Sequence, residues 1–77
     1  MSQDLVTIYI KLVKFFGGQT KTAKALLVTQ PSVNAWINGK SQMSEKIALR
    51  AERVTKGRFK AHKLCPSLKE FENQLVS

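Results

Sequence analysis

QTKTAKALLVTQPSVNAWIN, residues 19–38, contains the signals for two short helices separated by a tight turn. In its first half, Ala23 and Leu26 are spaced to share one helical face. In its second half, Thr29 is a good N-cap residue, and Pro31 follows in the first helical turn, where proline is tolerated because those N–H groups have no intrahelical partner. The stretch therefore predicts a helix-turn-helix unit.

Residue types at the ends of these two helices set their expected limits. Thr20 is a candidate cap for the first helix, which should end by about Leu27. The second helix should stop at Asn38-Gly39, because both residue types accept the left-handed conformation. Its inward face is predicted to consist of Val33, Trp36 and Ile37.

A longer helix is predicted ahead of this unit, from Asp4 to Phe16, and Gly17-Gly18 should end it. Apolar residues recur there at i, i+3, i+7 and i+10, namely Leu5, Ile8, Leu12 and Phe15, and Val13 and Phe16 widen the stripe.

A further helix is predicted from Glu45 to Lys56, with Ser44 as its cap and Gly57 as its stop. Its buried residues should be Ile47, Ala48, Ala51 and Val54. Residues 58–64 alternate loosely and predict either a short strand or an irregular segment. Beyond them, Ser67 and Glu70 have the spacing of a capping box, which predicts a last helical turn or two that presents Leu68, Phe71 and Leu75.

The charge balance favours a polyanionic partner. Thirteen Lys and Arg oppose five acids, which gives a net charge of +8, and from Lys11 to Lys63 twelve basic residues oppose only Glu45 and Glu52. Such a field attracts nucleic acid or an anionic membrane surface. A solvated basic face without a partner is the alternative.

Composition narrows the class of protein. The length of 77 residues fits one domain, 1–77, and no apolar run reaches the roughly 18 residues of a membrane span. No basic cluster precedes the first apolar stretch, and Cys65 is the only cysteine, so we expect a cytoplasmic protein without a disulfide. His62 and Cys65 are too few for a zinc site, and no acid-base pair or nucleophile with a partner stands out. We therefore expect no metal, no cofactor and no enzymatic activity.

The motif in residues 19–36 resembles that of phage Cro and repressor proteins, in particular that of the prophage-encoded YdaS-type Cro homologues. In that family a small residue packs where the two helices cross, which Ala23 matches. Apolar residues lock the pair, which Val28, Val33 and Trp36 match. The resemblance extends from about Lys11 to Pro66. It implies an all-α fold, a small four-to-five-helix bundle with a lambda-repressor-like DNA-binding domain.

One position departs from the family pattern. The turn usually has glycine where this chain has Leu27, so Leu27 must adopt a positive φ at a cost of roughly 1 kcal/mol, or the turn must differ.

The resemblance also implies which residues contact DNA. Residues early in the second helix face base edges in such proteins. The expected base contacts are Gln30, Pro31, Ser32, Asn34 and Ala35. Gln and Asn amides match adenine N6 and N7, whereas proline and alanine offer only apolar contact, for example with a thymine methyl group. The expected phosphate contacts are Thr20, Lys21, Lys24, Thr29 and Lys40. Exposed polar residues without a ligand are the alternative interpretation.

A single recognition helix reads few base pairs, so a Cro-like repressor is expected to bind a near-palindromic operator as a homodimer. Segment 58–77 is the candidate dimerisation region, with the apolar residues Phe59, Leu64, Phe71 and Leu75. Two other hypotheses stay open. One is an antitoxin or interaction module that binds a toxin partner, a role discussed for YdaS-type relatives. The other is a basic amphipathic membrane binder, which is weaker because the apolar stripes suit the inside of a bundle.

Overall fold

Five α-helices form the regular secondary structure of residues 2–68, the part of the chain that this computed structural model describes. They are α1 (Ser2–Phe16), α2 (Gln19–Leu26), α3 (Gln30–Ile37), α4 (Glu45–Val54) and α5 (Ala61–Leu64). No strand occurs within this range, which confirms the predicted all-α class. The chain divides after Gln42 into two compact units, the first with α1–α3 and the second with α4 and α5.

The core of the first unit lies where α1 packs on α2 and α3. The rings of Tyr9 on α1 and Trp36 on α3 are in contact, with centroids 6.0 Å apart and planes tilted by 42°. Leu12, Leu26 and Val33 are fully buried in this unit. Because burial of each such side chain contributes roughly 1.5–3 kcal/mol, these contacts fix the helices that carry the turn.

The inward face of α1 is rotated by about one residue from the predicted stripe. Phe15 is 46% exposed, so its predicted burial is wrong, whereas Tyr9 is only 1% exposed. Leu5, Tyr9, Leu12 and Phe16 form a second stripe, at i, i+4, i+7 and i+11. The contact with Trp36 favours this stripe, and Phe15 instead packs edge-on against Phe16 with ring centroids 5.3 Å apart.

The sequence left two alternatives for the turn after α2, a positive φ at Leu27 or a different turn, and the structure has the positive φ. Leu27 lies in the left-handed region, with φ 58° and ψ 45°, and its N–H bonds to the carbonyls of Ala23 and Lys24. The Val28 N–H also donates to the Ala23 carbonyl, at 2.9 Å. These bonds satisfy carbonyls at the end of α2, so the chain can leave the helix within one residue.

The other limits of α2 and α3 follow from local hydrogen bonds. The predicted cap Thr20 is wrong, because α2 begins at Gln19, two residues before the start that this cap implies, with Gly18 as N-cap and no side-chain capping bond. The Thr22 hydroxyl donates instead to the Gly18 carbonyl, at 2.7 Å. The predicted stop is confirmed: α3 ends at Ile37, and Gly39 follows with φ +73°.

In the second unit, α4 is capped as predicted, since the Ser44 hydroxyl accepts from the Ile47 N–H. Ala48 and Ala51 are buried, but Val54 is 42% exposed, which contradicts its predicted burial. The inward position near the helix end belongs to Thr55, whose hydroxyl donates to the Ala51 carbonyl at 2.8 Å. The helix itself ends two residues before the predicted limit, and Lys56 and Gly57, which follow the C-cap Thr55, have positive φ.

The segment after α4 forms the single helical turn α5, so the predicted strand or irregular segment is wrong at residues 61–64. The Glu52 carboxylate accepts from the Ala61 N–H at 2.7 Å and anchors the start of this turn. Ala61, Leu64 and Cys65 are buried. Because the Leu64 side chain is fully buried, it is not available for a dimer contact.

Ser67 joins the end of the described chain to the start of α4. Its hydroxyl donates to Glu45 Oε2 at 3.0 Å. The Glu45 backbone N–H and this hydroxyl lower the pKa of the Glu45 carboxyl from its ordinary value. Glu70, Phe71 and Leu75, which the sequence placed in a last helical turn, lie outside the described residues.

No helix within residues 2–68 is long and apolar enough to cross a membrane.

Replacing Leu27 with glycine should raise the free energy of unfolding by about 0.5 kcal/mol. Relief of roughly 1–2 kcal/mol of left-handed strain exceeds the roughly 0.5–1 kcal/mol entropic cost of glycine. Little packing is lost, because Leu27 is 75% exposed. Urea denaturation followed by circular dichroism measures the change. In the control, Lys11→Gly on an exposed helical position should cost about 1 kcal/mol. Destabilisation by Leu27→Gly comparable with this control would contradict the argument.

Candidate nucleic-acid interface

The first residues of α2 and α3 together form one open concavity in the first unit. It has a volume of about 320 Å³ and is lined by Gln19, Gln30, Pro31 and Asn34. Three of these four side chains are carboxamides and the fourth is a rigid apolar ring. The surface therefore offers hydrogen-bond donors and acceptors beside one apolar contact, without a formal charge.

Hydrogen bonds connect these carboxamides to their neighbours with unequal strength. The Thr20 hydroxyl donates to Gln30 Oε1 at 3.5 Å, a long contact that a ligand can replace at small cost. Asn34 is held more firmly: Asn38 Nδ2 donates to its carbonyl at 2.8 Å and to its Oδ1 at 3.0 Å. Asn34 Nδ2 in turn donates to Gln19 Oε1 at 3.4 Å. Gln30 is thus the side chain that is most readily released to a ligand.

Thr29 fixes the start of α3. Its backbone is extended, and its hydroxyl oxygen accepts from the Ser32 N–H at 3.4 Å, which confirms the predicted cap. The two hydroxyls of Thr29 and Ser32 lie 3.0 Å apart, so both are engaged at the helix start. Because the cap orients the first turn of α3, it also orients Gln30 and Pro31.

The charged side chains of α2, of α3 and of the residues just after α3 are all basic. The sequence has no acidic residue between Asp4 and Glu45. Lys21 and Lys24 are exposed on α2, and Lys40 is exposed just after α3. The first backbone N–H groups of α2 and α3 add partial positive charge, so this surface suits an anion.

The predicted site residues are only partly brought together. Gln30, Pro31 and Asn34 share the concavity, and Thr20 joins them through its bond to Gln30. Ser32 and Ala35 are neighbours of these residues in the sequence, and both are half-buried. Gln19 was not among the predicted site residues. The signal that could have identified Gln19 was its position as the first residue of the motif, at the start of α2.

The described residues 2–68 contain no cluster of three or more His, Cys, Asp or Glu that could hold a metal ion. Cys65 is buried in the second unit, with its sulfur 3.2 Å from the Ser67 hydroxyl oxygen.

These features define the class of protein: a small helix-turn-helix protein with a polar concavity at the start of its second motif helix. Residues 9–70 match the family model described as bacterial toxin YdaS. The chain belongs to this YdaS family, which confirms the resemblance found in the sequence.

Two curated relatives are regulators by name. The chain is 46% identical over 63 residues to the regulatory protein cro of Pseudomonas phage D3, covering 82% of this chain and 86% of that protein. It is 38% identical over 52 residues to YdaS of Escherichia coli K12, named as a candidate transcriptional regulator. That match covers 68% of this chain and 53% of that relative. No solved structure matches the chain significantly.

Removing the cap of α3 should destabilise the first unit. Thr29→Ala should lower the free energy of unfolding by about 1 kcal/mol, because the first turn loses its side-chain acceptor. Thr29→Ser should restore most of this loss. Thermal or urea denaturation measures both changes, with Ser41→Ala, an exposed position after α3, as the control. An effect of Thr29→Ala no larger than that of Ser41→Ala would show that the cap contributes nothing.

Proposed function

We propose that this protein is a transcriptional regulator that binds double-stranded DNA sequence-specifically, with the start of α3 in the major groove. The observation that carries the proposal is the shared concavity of Gln19, Gln30, Pro31 and Asn34 within an acid-free, lysine-bearing part of the chain. Helix-turn-helix proteins place the first residues of their second motif helix against base edges. Cytoplasmic localisation follows from a role on DNA in a phage-infected or lysogenic bacterium.

Gln30 is the principal base-reading residue in this proposal. Its carboxamide matches the donor and acceptor pair of adenine, and only one long hydrogen bond to Thr20 has to be exchanged. Pro31 offers its ring to a thymine methyl group. Asn34 reads a base only by giving up bonds to Gln19 and Asn38, so its contribution is smaller. Ser32 and Ala35 make additional, weaker contacts with the bases.

Phosphate contacts position the protein without reading sequence. Lys21 and Lys24 on α2 and Lys40 after α3 are exposed and supply the charge. Thr20 and Thr29, which lie at the starts of the two motif helices, supply hydroxyl groups. Each neutralised phosphate should steepen the dependence of binding on salt by about 0.9 in the logarithmic slope.

The regulator acts as a Cro-like repressor that occludes its operator. One recognition helix covers few base pairs, so the proposal includes a homodimer on a near-palindromic operator with half-sites about 34 Å apart. The name of the phage D3 relative supports this role. Phe59, which is half-buried, is the candidate interface residue within residues 2–68, while Phe71 and Leu75 lie outside that range.

A second candidate function is that of an antitoxin or interaction module with a toxin partner. Its support is that the matching family is described as a bacterial toxin, which connects the family with toxin-antitoxin pairs without saying which member of such a pair this chain is.

A fluorescence anisotropy titration tests the proposal. Wild type, Gln30→Ala and Lys21→Ala are titrated at two salt concentrations against the duplex upstream of the coding sequence and against a scrambled duplex. Gln30→Ala should lose about 1–3 kcal/mol of preference for the native duplex, because its base contact is removed. Lys21→Ala should weaken both duplexes equally and reduce the salt slope by about 0.9.

Lys11→Ala is the matched control, since it removes one exposed lysine from α1, which does not line the concavity. It should leave the affinity for both duplexes and the salt slope nearly unchanged, unlike Lys21→Ala. Equal, weak binding of both duplexes that salt abolishes would contradict the proposal and favour the interaction module.

A further inference from the structure

The outer face of α4 combines basic and exposed apolar side chains. Lys46, Arg50 and Arg53 are spaced at i, i+4 and i+7, so they form one stripe along the helix. Leu49 and Val54 flank this stripe and are 55% and 42% exposed. Ala48 and Ala51 occupy the opposite, buried face. Large apolar side chains exposed beside cations suit a partner segment that is both apolar and acidic.

Residues 69–77 of this chain have that composition. They read Lys-Glu-Phe-Glu-Asn-Gln-Leu-Val-Ser and hold two of the five acids of the protein, Glu70 and Glu72, together with Phe71 and Leu75. By contrast, residues 43–68 carry seven Lys and Arg and two acids, a net charge of +5. The two parts of the chain are therefore complementary in charge, and each has apolar groups to offer.

Ser67, two residues before this segment, lies at the start of α4, where its hydroxyl donates to Glu45 at 3.0 Å. Glu45 directly precedes Lys46, the first residue of the basic stripe. A nine-residue segment spans at most about 30 Å, and a ten-residue helix is about 15 Å long. The segment is therefore long enough to run the whole length of an α4 helix.

We infer that residues 69–77 of one copy bind the outer face of α4 of a second copy, with Glu70 and Glu72 against the basic stripe and Phe71 and Leu75 against Leu49 and Val54. The exchange is reciprocal, as the two-fold symmetry of a homodimer requires. This inference rests on the proposed function, which needs two copies of α3 on one operator, and it specifies how the two copies are held together.

A charge-exchange experiment on the full-length chain tests the inference. The face variant carries Lys46→Glu and Arg53→Glu, and the tail variant carries Glu70→Lys and Glu72→Lys. Sedimentation velocity should show a wild-type dimer, and each variant alone should have a dimer Kd raised at least tenfold. An equimolar mixture of the two variants should form heterodimers, because both of its interfaces again pair opposite charges.

Three outcomes would overturn the inference: a monomeric wild type, variants that dimerise like wild type, or a mixture that stays monomeric. The last result would place the contact within one chain or show that it does not form. Lys11→Glu with Lys14→Glu on α1 makes the same charge change as the face variant and should leave the dimer intact. Circular dichroism establishes that each variant is folded.

Failure of this inference is distinguishable from failure of the proposed function. A monomeric protein that still prefers its native duplex through Gln30 would overturn the reciprocal docking and leave DNA recognition standing. A dimer that binds both duplexes equally would overturn sequence-specific DNA recognition and leave the reciprocal docking standing.

Discussion

Between α2 and α3 the chain changes direction within three residues, and the left-handed backbone of Leu27 makes this possible. It lets the N–H groups of Leu27 and Val28 return to carbonyls at the end of α2, so that α2 ends with its backbone groups satisfied. Thr29 then starts α3 at once. The concavity depends on this short connection between α2 and α3, because a longer connection would not hold Gln19 and Gln30 at one surface. Placing leucine in a conformation that suits glycine shows that the turn is enforced by its surroundings.

The surroundings that enforce the turn are the packed side chains of the first unit. Tyr9 and Trp36 join α1 to α3, while Leu26 and Val33 are buried on either side of the turn. Trp36 is therefore a core residue, as predicted for the inward face of α3. A rigid scaffold of this kind keeps the carboxamides of the site within narrow limits, which favours selective rather than adaptable binding.

Features with strong local signals were predictable from the sequence. The caps Thr29 and Ser44 and the stop at Gly39 depend on the chemistry of single residues, and the structure confirms them. Tertiary contacts decided the rest. Two apolar stripes on α1 were equally regular, and the contact of Tyr9 with Trp36 selected one of them. The turn α5 depends on the Glu52 bond to Ala61, nine residues apart, which no local pattern signals. The partnership of Gln19 with Asn34, fifteen residues apart, was hidden for the same reason.

Backbone and side-chain amide resonances, followed by NMR as the duplex from upstream of the coding sequence is added, test the central claim most directly. The account predicts that the largest shift changes fall on the first turns of α2 and α3, including the side-chain amides of Gln19 and Gln30. A scrambled duplex should produce smaller changes near Lys21, Lys24 and Lys40 and should leave the side-chain amide of Gln30 largely unchanged. Changes centred on α4 or α5, with the concavity unaffected, would contradict the account.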